Sequence, residues 1–194
     1  MRKLILFLMT TIIFVGGCSK SEKIIEKNSF NSFYAKTDKY LSDFVGKDFM
    51  NKYLLKLPEK AYSDSESFVI PYLEKIDILN YRDTIKFILN KKRQIVNLNK
   101  IKGLPDCAAN PEACEFGIDS TRLIKILKEK KYPKGIKPWK IRSFWDDDKK
   151  LFLWEVTITE KGIFRPRIER AEGVKLIVSP AAGNIISEQK WRIL

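Results

Sequence analysis

Apolar residues run along this chain in three rhythms, and each predicts a different kind of element. Residues 4–15 are almost continuously apolar, with Arg2-Lys3 before them and Gly16-Gly17-Cys18 after. That block is too short to cross a bilayer as a helix. From Phe30 the rhythm turns helical: Phe30, Phe33, Tyr34, Thr37, Leu41, Phe44 and Val45 share one face, and Lys36, Asp38, Lys39 and Asp43 share the other. Asn28-Ser29 offers a cap, Gly46 a bend, and Phe49, Met50, Tyr53, Leu54 and Leu57 extend the apolar face towards a stop at Pro58. Residues 68–79 fit neither period, because Pro71 suits a first helical turn or an interrupted strand. Tyr81, Ile85, Ile88, Leu89, Ile95 and Val96 predict a further helix, with Lys91-Lys92-Arg93 near its C-terminal half, where cations suit the helix dipole.

Residues 97–117 have little periodicity, and after them the pattern changes. Asp119 or Ser120 caps a helix through Leu123, Ile124, Ile126 and Leu127, which Tyr132-Pro133 and Gly135 terminate. From there the period is two. Trp139, Ile141, Ser143 and Trp145 share one strand face, and Asp146-Asp147-Asp148-Lys149-Lys150 makes a polar hairpin turn. Phe152, Trp154, Val156 and Ile158 form the inner face of the next strand, with Glu155 and Thr157 outside. A basic loop follows Lys161-Gly162, residues 174–178 form a third strand, residues 179–184 are turn chemistry, and residues 185–194 form the last strand. The fold class is α+β: N-terminal helices, then a helix packed on a curved four-stranded antiparallel sheet. The organisation expected is a mainly helical region over residues 29–117 and an α-β-β-β-β region over residues 118–194, in one continuous globular unit.

The start of the chain reads as an address. A basic n-region, a short apolar core and small residues before a cleavage point make a secretory signal. Val15-Gly16-Gly17-Cys18 resembles the bacterial lipobox, whose cysteine thiol is diacylated and becomes the new N-terminus after cleavage. The resemblance implies a signal peptide over residues 1–17, palmitate-type lipid on Cys18, a polar tether over residues 18–28 and a lipid-anchored life in the cell envelope. Ser19 stands where an aspartate commonly retains enterobacterial lipoproteins in the inner membrane, so it implies an outer-membrane destination facing the periplasm.

Cleavage before Cys18 removes 17 of 194 residues and leaves 177, enough to bury a sizeable core. It also takes away Arg2 and Lys3, lowering the net charge from +13 to +11. Such an excess favours anionic partners: an acidic protein or an anionic envelope component such as a lipid headgroup. Nucleic acid is set aside on compartment. The remaining cysteines, Cys107 and Cys114, are expected as a disulfide, because export leads to an oxidising compartment.

The sequence contains no histidine, which removes the commonest general base and metal ligand together. Ser-His-Asp and Cys-His arrangements are thereby excluded, and no phosphate-binding or calcium-loop spacing is present. Carboxylates such as Asp64, Glu66, Glu155 and Glu160 pair no better than those of any globular domain. No cofactor, no metal site and no catalytic residue is assigned, and the chain reads as a non-enzyme. The candidate binding residues are Arg165, Arg167 and Arg170, in a loop stiffened by Pro166, with Glu160, Glu169 and Glu172 as local counter-charges.

Leu153-Trp154-Glu155-Val156-Thr157-Ile158 and the strand-turn-strand ending from Ile177 to Ile186 resemble PepSY-like domains, although Ser179 stands where that family usually has an acidic residue. Lys190-Trp191-Arg192-Ile193 equally resembles the closing strand of an NTF2-like or cystatin-like sheet. These resemblances imply a scaffold for binding or inhibition. The functions expected are an envelope accessory protein or, alternatively, an immunity or inhibitor lipoprotein acting on a toxin or lytic enzyme that enters the periplasm. Cys18→Ser is expected to abolish lipidation and cleavage by the lipoprotein peptidase. Labelling cells with a fatty-acid analogue checks this, and equal incorporation in mutant and wild type would refute it.

Overall fold

The computed structural model describes residues 30–165 and 168–193, so Cys18, Pro166 and Arg167 lie outside the described residues, as does the proposed cap at Asn28-Ser29. The chain opens with α1 (Asn31–Phe44) and α2 (Gly46–Tyr53), joined at Gly46, whose φ of +78° is easy for glycine and strained for other residues. Four strands follow: β1 (Leu54–Lys56), β2 (Tyr62–Ser63), β3 (Ser67–Ile76) and β4 (Tyr81–Asn90). All are antiparallel. β3 lies at the centre, with β4 along one edge and β1 and β2 sharing the other.

This sheet corrects the expected mainly helical region, where only residues 31–53 carry α-helix among the described residues 30–117. The spacing of Tyr81, Ile85, Ile88 and Leu89 matches a helical face. Ile85, Phe87 and Leu89 match a strand face just as well, and those three are the buried ones. Pro71 is tolerated inside β3 for a geometric reason. Its carbonyl accepts Leu57 N on the edge that β1 and β2 share. An antiparallel residue points its N and its C=O the same way, so the missing N–H falls in the gap between those two short strands. Lys91-Lys92-Arg93 sits in the turn after β4, and the Arg93 guanidinium stands 5.3 Å from the Phe33 ring centroid.

The second half follows the sequence expectation closely. Asp119 caps α3 (Ser120–Glu129) by accepting Arg122 N at 2.7 Å. Then come β5 (Lys140–Asp146), β6 (Leu151–Arg165), β7 (Ile168–Val178) and β8 (Ile185–Ile193), an antiparallel sheet in sequential order. Leu123 and Leu127 of α3 join Trp154, Val156, Ile158, Leu176 and Val178 in the core, and Trp154 Nε1 donates to Ile118 O at 3.0 Å.

One cluster of buried side chains runs through both sheets. At the junction Tyr81 of β4 meets Phe152 of β6 edge-on at 4.7 Å, and Phe116 meets the same ring at 5.8 Å. Ser143 Oγ donates to Leu79 O at 2.6 Å beside them. The outer edge of β4 is covered by Asn97, whose side-chain amide donates to Lys86 O and accepts from Ile88 N. No helix among the described residues is long and apolar enough to cross a membrane.

Cys107 and Cys114 are joined, with Cα atoms 5.7 Å apart. Asp106 holds the intervening turn through Ala109 N, and Ala108 N donates to Phe44 O, so the clasp is stitched to the end of α1. Replacing both cysteines by serine is expected to cost roughly 2.5 kcal/mol on chain-entropy grounds. Mass mapping of the exported protein without reductant should find the two peptides linked. Two freely alkylated thiols after an acid quench would contradict the pairing.

Candidate functional site: the basic hairpin arm

β6 and β7 outrun their neighbours. β5 accompanies β6 only as far as Thr157, opposite Lys140, and β8 accompanies β7 only as far as Ala171, opposite Ile193. Ile136 N still reaches Thr159 O, and beyond Ala171 the two strands pair only with each other among the described residues, as far as Arg165 and Ile168. The arm leaves the sheet through a register shift at Glu160, between Thr159 and Lys161. Gly173 makes that shift feasible, because a Cβ there would collide with Ile158 O. Trp191 lies across the glycine, and its Nε1 donates to the same oxygen at 3.3 Å.

Alternation then sorts the arm's side chains. Lys161, Ile163, Arg170, Glu172 and Arg192 share one face through their cross-strand pairs. Glu172 binds Lys161 at 3.1 Å and Arg192 at 2.7 Å, and these cations hold its carboxyl below the usual range. Arg170 is exposed and forms no ion pair with a described side chain, and Ile163 beside it is 53% exposed. An open hollow of about 410 Å³ runs along this surface to Ile193.

The expected loop therefore needs correction. Arg170 belongs to β7, opposite Ile163, and Arg165 ends β6, so only Pro166-Arg167 separates the strands. Gly162 and Ala171 pair directly within the ladder, so the Lys-Gly step does not end the strand. The expected local counter-charge also shifts, since Glu172 answers Lys161 and Arg192. The weighed carboxylates are not brought together: Asp64 closes a turn onto Glu66 N and Ser67 N, while Glu155 in the other sheet is held by Arg142 and Lys175.

Two further places escaped the sequence reading. Tyr132 and Trp139 wall an open cleft of about 420 Å³ beside Lys128 and Lys134. Both rings are anchored by their polar ends, Trp139 Nε1 on Pro133 O and Tyr132 Oη on Glu188, and burial with that carboxylate pushes the Tyr132 phenol up to about 12. The other is Glu74, a fully buried residue at an inward position of β3 whose carboxyl has no hydrogen-bond partner among the described residues. Its signal was available: Ile70, Tyr72, Glu74 and Ile76 alternate as one inner face. Among the described residues no three Asp, Glu, Cys or His side chains gather as a metal-ligand group.

Set against family models, curated proteins and solved structures, the chain matches none of them.

Burial first, and the Asp83 charge second, push Glu74 up to about 9 from the ordinary 4.5. Tyr81, also raised by burial, faces it from β4 and offers no countercharge. The folded protein therefore keeps a proton that the unfolded chain loses. This stabilisation is complete below 4.5 and drains away as pH rises towards about 9, at no more than about 1.4 kcal/mol per pH unit. Urea unfolding should show a higher midpoint near pH 5 than near pH 8, with Glu74→Gln flattening the difference. A wild-type midpoint that climbs across that window would contradict the assignment.

Proposed function

We propose that this chain is a lipid-anchored cell-envelope protein that binds rather than catalyses, docking an acidic envelope partner through the β6–β7 arm. The observation that carries the reading is the arm itself, with Arg170 and Ile163 exposed side by side on strands that outrun their sheet. Arginine presents planar paired donors to carboxylate or phosphate, and a neighbouring isoleucine adds apolar area that water gives up on contact. A hairpin framework loses less conformational entropy on binding than a free loop does. The net charge remaining after cleavage draws the same class of partner at long range.

The lipobox supports the anchor at Cys18, and the α-β-β-β-β order supports a PepSY-like reading of residues 118–194. A projecting hairpin also supports the inhibitor alternative, since it can enter a cleft that a flat sheet cannot. A pull-down from detergent-solubilised envelope, with the lipidated protein as bait, separates the two. Recovery of an envelope component makes the chain an accessory protein, and recovery of a toxin or lytic enzyme makes it an inhibitor.

Replacing Arg165, Arg167 and Arg170 together by glutamine should weaken partner binding about tenfold at low salt and less at moderate salt. The melting temperature should stay within a degree or so, because surface substitutions of this kind shift stability by only about 0.5 kcal/mol. Unchanged affinity at both salts would return the arm to ordinary solvated surface.

A further inference from the structure

α3 and the segment after it carry a dense run of positive charge. From Arg122 to Arg142 there are seven lysines and two arginines against one acid, Glu129. Set among them are Ile124, Tyr132, Pro138 and Trp139, which with Lys128 and Lys134 line the open cleft of about 420 Å³. That volume falls in the range of small-molecule sites.

The walls of this cleft are fixed by the fold. Tyr132 N donates to Leu127 O at 3.1 Å, which ends the helix and turns the chain back. Gly135, with φ of +75°, lies so close to β6 that a Cβ would meet Thr159 O at 2.9 Å, and Ile136 N donates to that oxygen at 2.8 Å. Trp139 Nε1 donates to Pro133 O at 3.1 Å and ties the segment across its own neck. Tyr132 Oη donates to Glu188 of β8 at 2.6 Å. Each ring packs against the core on one side and lines the cleft on another, with its polar group already engaged. What the cleft presents is therefore apolar ring surface, held in place before a ligand arrives.

The charge at its rim is free to act. Lys128 and Lys134 are exposed and form no ion pair with a described side chain. Glu188 stands at the hydroxyl end of Tyr132, outside the lining, so a ligand's negative charge is drawn towards the lysines and away from that end.

We propose that this cleft binds an anionic saccharide, its ring stacked on Trp139 and Tyr132 and its carboxylate or phosphate held by Lys128 and Lys134. A pyranose has an apolar C–H face and a polar rim, which matches aromatic surface bordered by ammonium groups. Lysine suits either acid group, because it acts as a point charge rather than a planar fork. An acidic peptide meets the same charge, but its carboxylates sit on flexible stems with no flat apolar face for the rings. No residue of the β6–β7 arm lines the cleft, so the two sites act independently.

Calorimetry on the full chain at about 50 mM salt tests this with tetragalacturonate, maltotetraose phosphate, neutral maltotetraose and tetraglutamate. At least one anionic sugar should bind with Kd below about 1 mM, and about tenfold tighter than maltotetraose or tetraglutamate. Lys128→Gln with Lys134→Gln, both exposed and safe for folding, should weaken it about tenfold, and less at moderate salt. Trp139→Ala should also weaken it about tenfold, the size of effect a stacked ring has on a nucleobase, and Trp139→Phe much less. Glutamine at Arg165, Arg167 and Arg170 should leave sugar affinity unchanged, and a loss there would move the binding to the arm and overturn the cleft. Anionic sugars that bind no tighter than tetraglutamate would overturn it as well. So would undiminished affinity in the lysine variant, or in Trp139→Ala that still melts cooperatively. An oligothymidylate that binds tighter than every sugar would replace the saccharide by single-stranded nucleic acid.

Discussion

The fold depends on the apolar seam where its two sheets meet. Each sheet has one face to bury, and neither α1 with α2 nor α3 covers that face completely. Tyr81, Phe116 and Phe152 close the remainder, edge against face, and the Ser143 hydroxyl on the Leu79 carbonyl fixes the angle. Fully burying a ring such as Phe152 is worth about 2–3 kcal/mol. Loss of one such ring at the seam would therefore remove a large share of the net stability of an ordinary domain. The Cys107–Cys114 clasp ties the connecting segment to the end of α1, so the seam is approached from both sides by constrained chain.

The seam also places Glu74. It lies one step along β3 from the aromatic contacts, close enough that Tyr81 serves both the packing and the polar cluster. Whatever neutralises the carboxyl acts where the two halves of the molecule touch.

How much of this was legible in the sequence varied with the strength of the local pattern. From Asp119 onward it was nearly all there. The N-cap, the alternation of Phe152, Trp154, Val156 and Ile158 and the Asp146 turn each have a local cause, and the structure reproduces them. The first sheet was not legible, because Ile85, Ile88 and Leu89 satisfy both periods and only the pairing with β3, whose own pattern Pro71 leaves ambiguous, decides for the strand. The candidate site was half legible. Arginine composition pointed to the right stretch, but the strand continuation depends on Gly173 and Trp191 meeting the Glu160 bulge, contacts that no local pattern states. Glu74 was missed for the related reason that its meaning requires knowing β3 to be a strand.

Asn97 carries one more consequence. By turning its carboxamide onto Lys86 O and Ile88 N it continues, with a side chain, the short backbone pairing that residues 94–96 make with the end of β4. An open strand edge is a template on which another chain can grow. Here the backbone of residues 94–96 fills the rungs nearest the turn and the Asn97 side chain fills the next, with a group on which no further strand can be built. For a basic, aromatic-rich chain, selfhood of that kind is a property of the folded state as much as stability is.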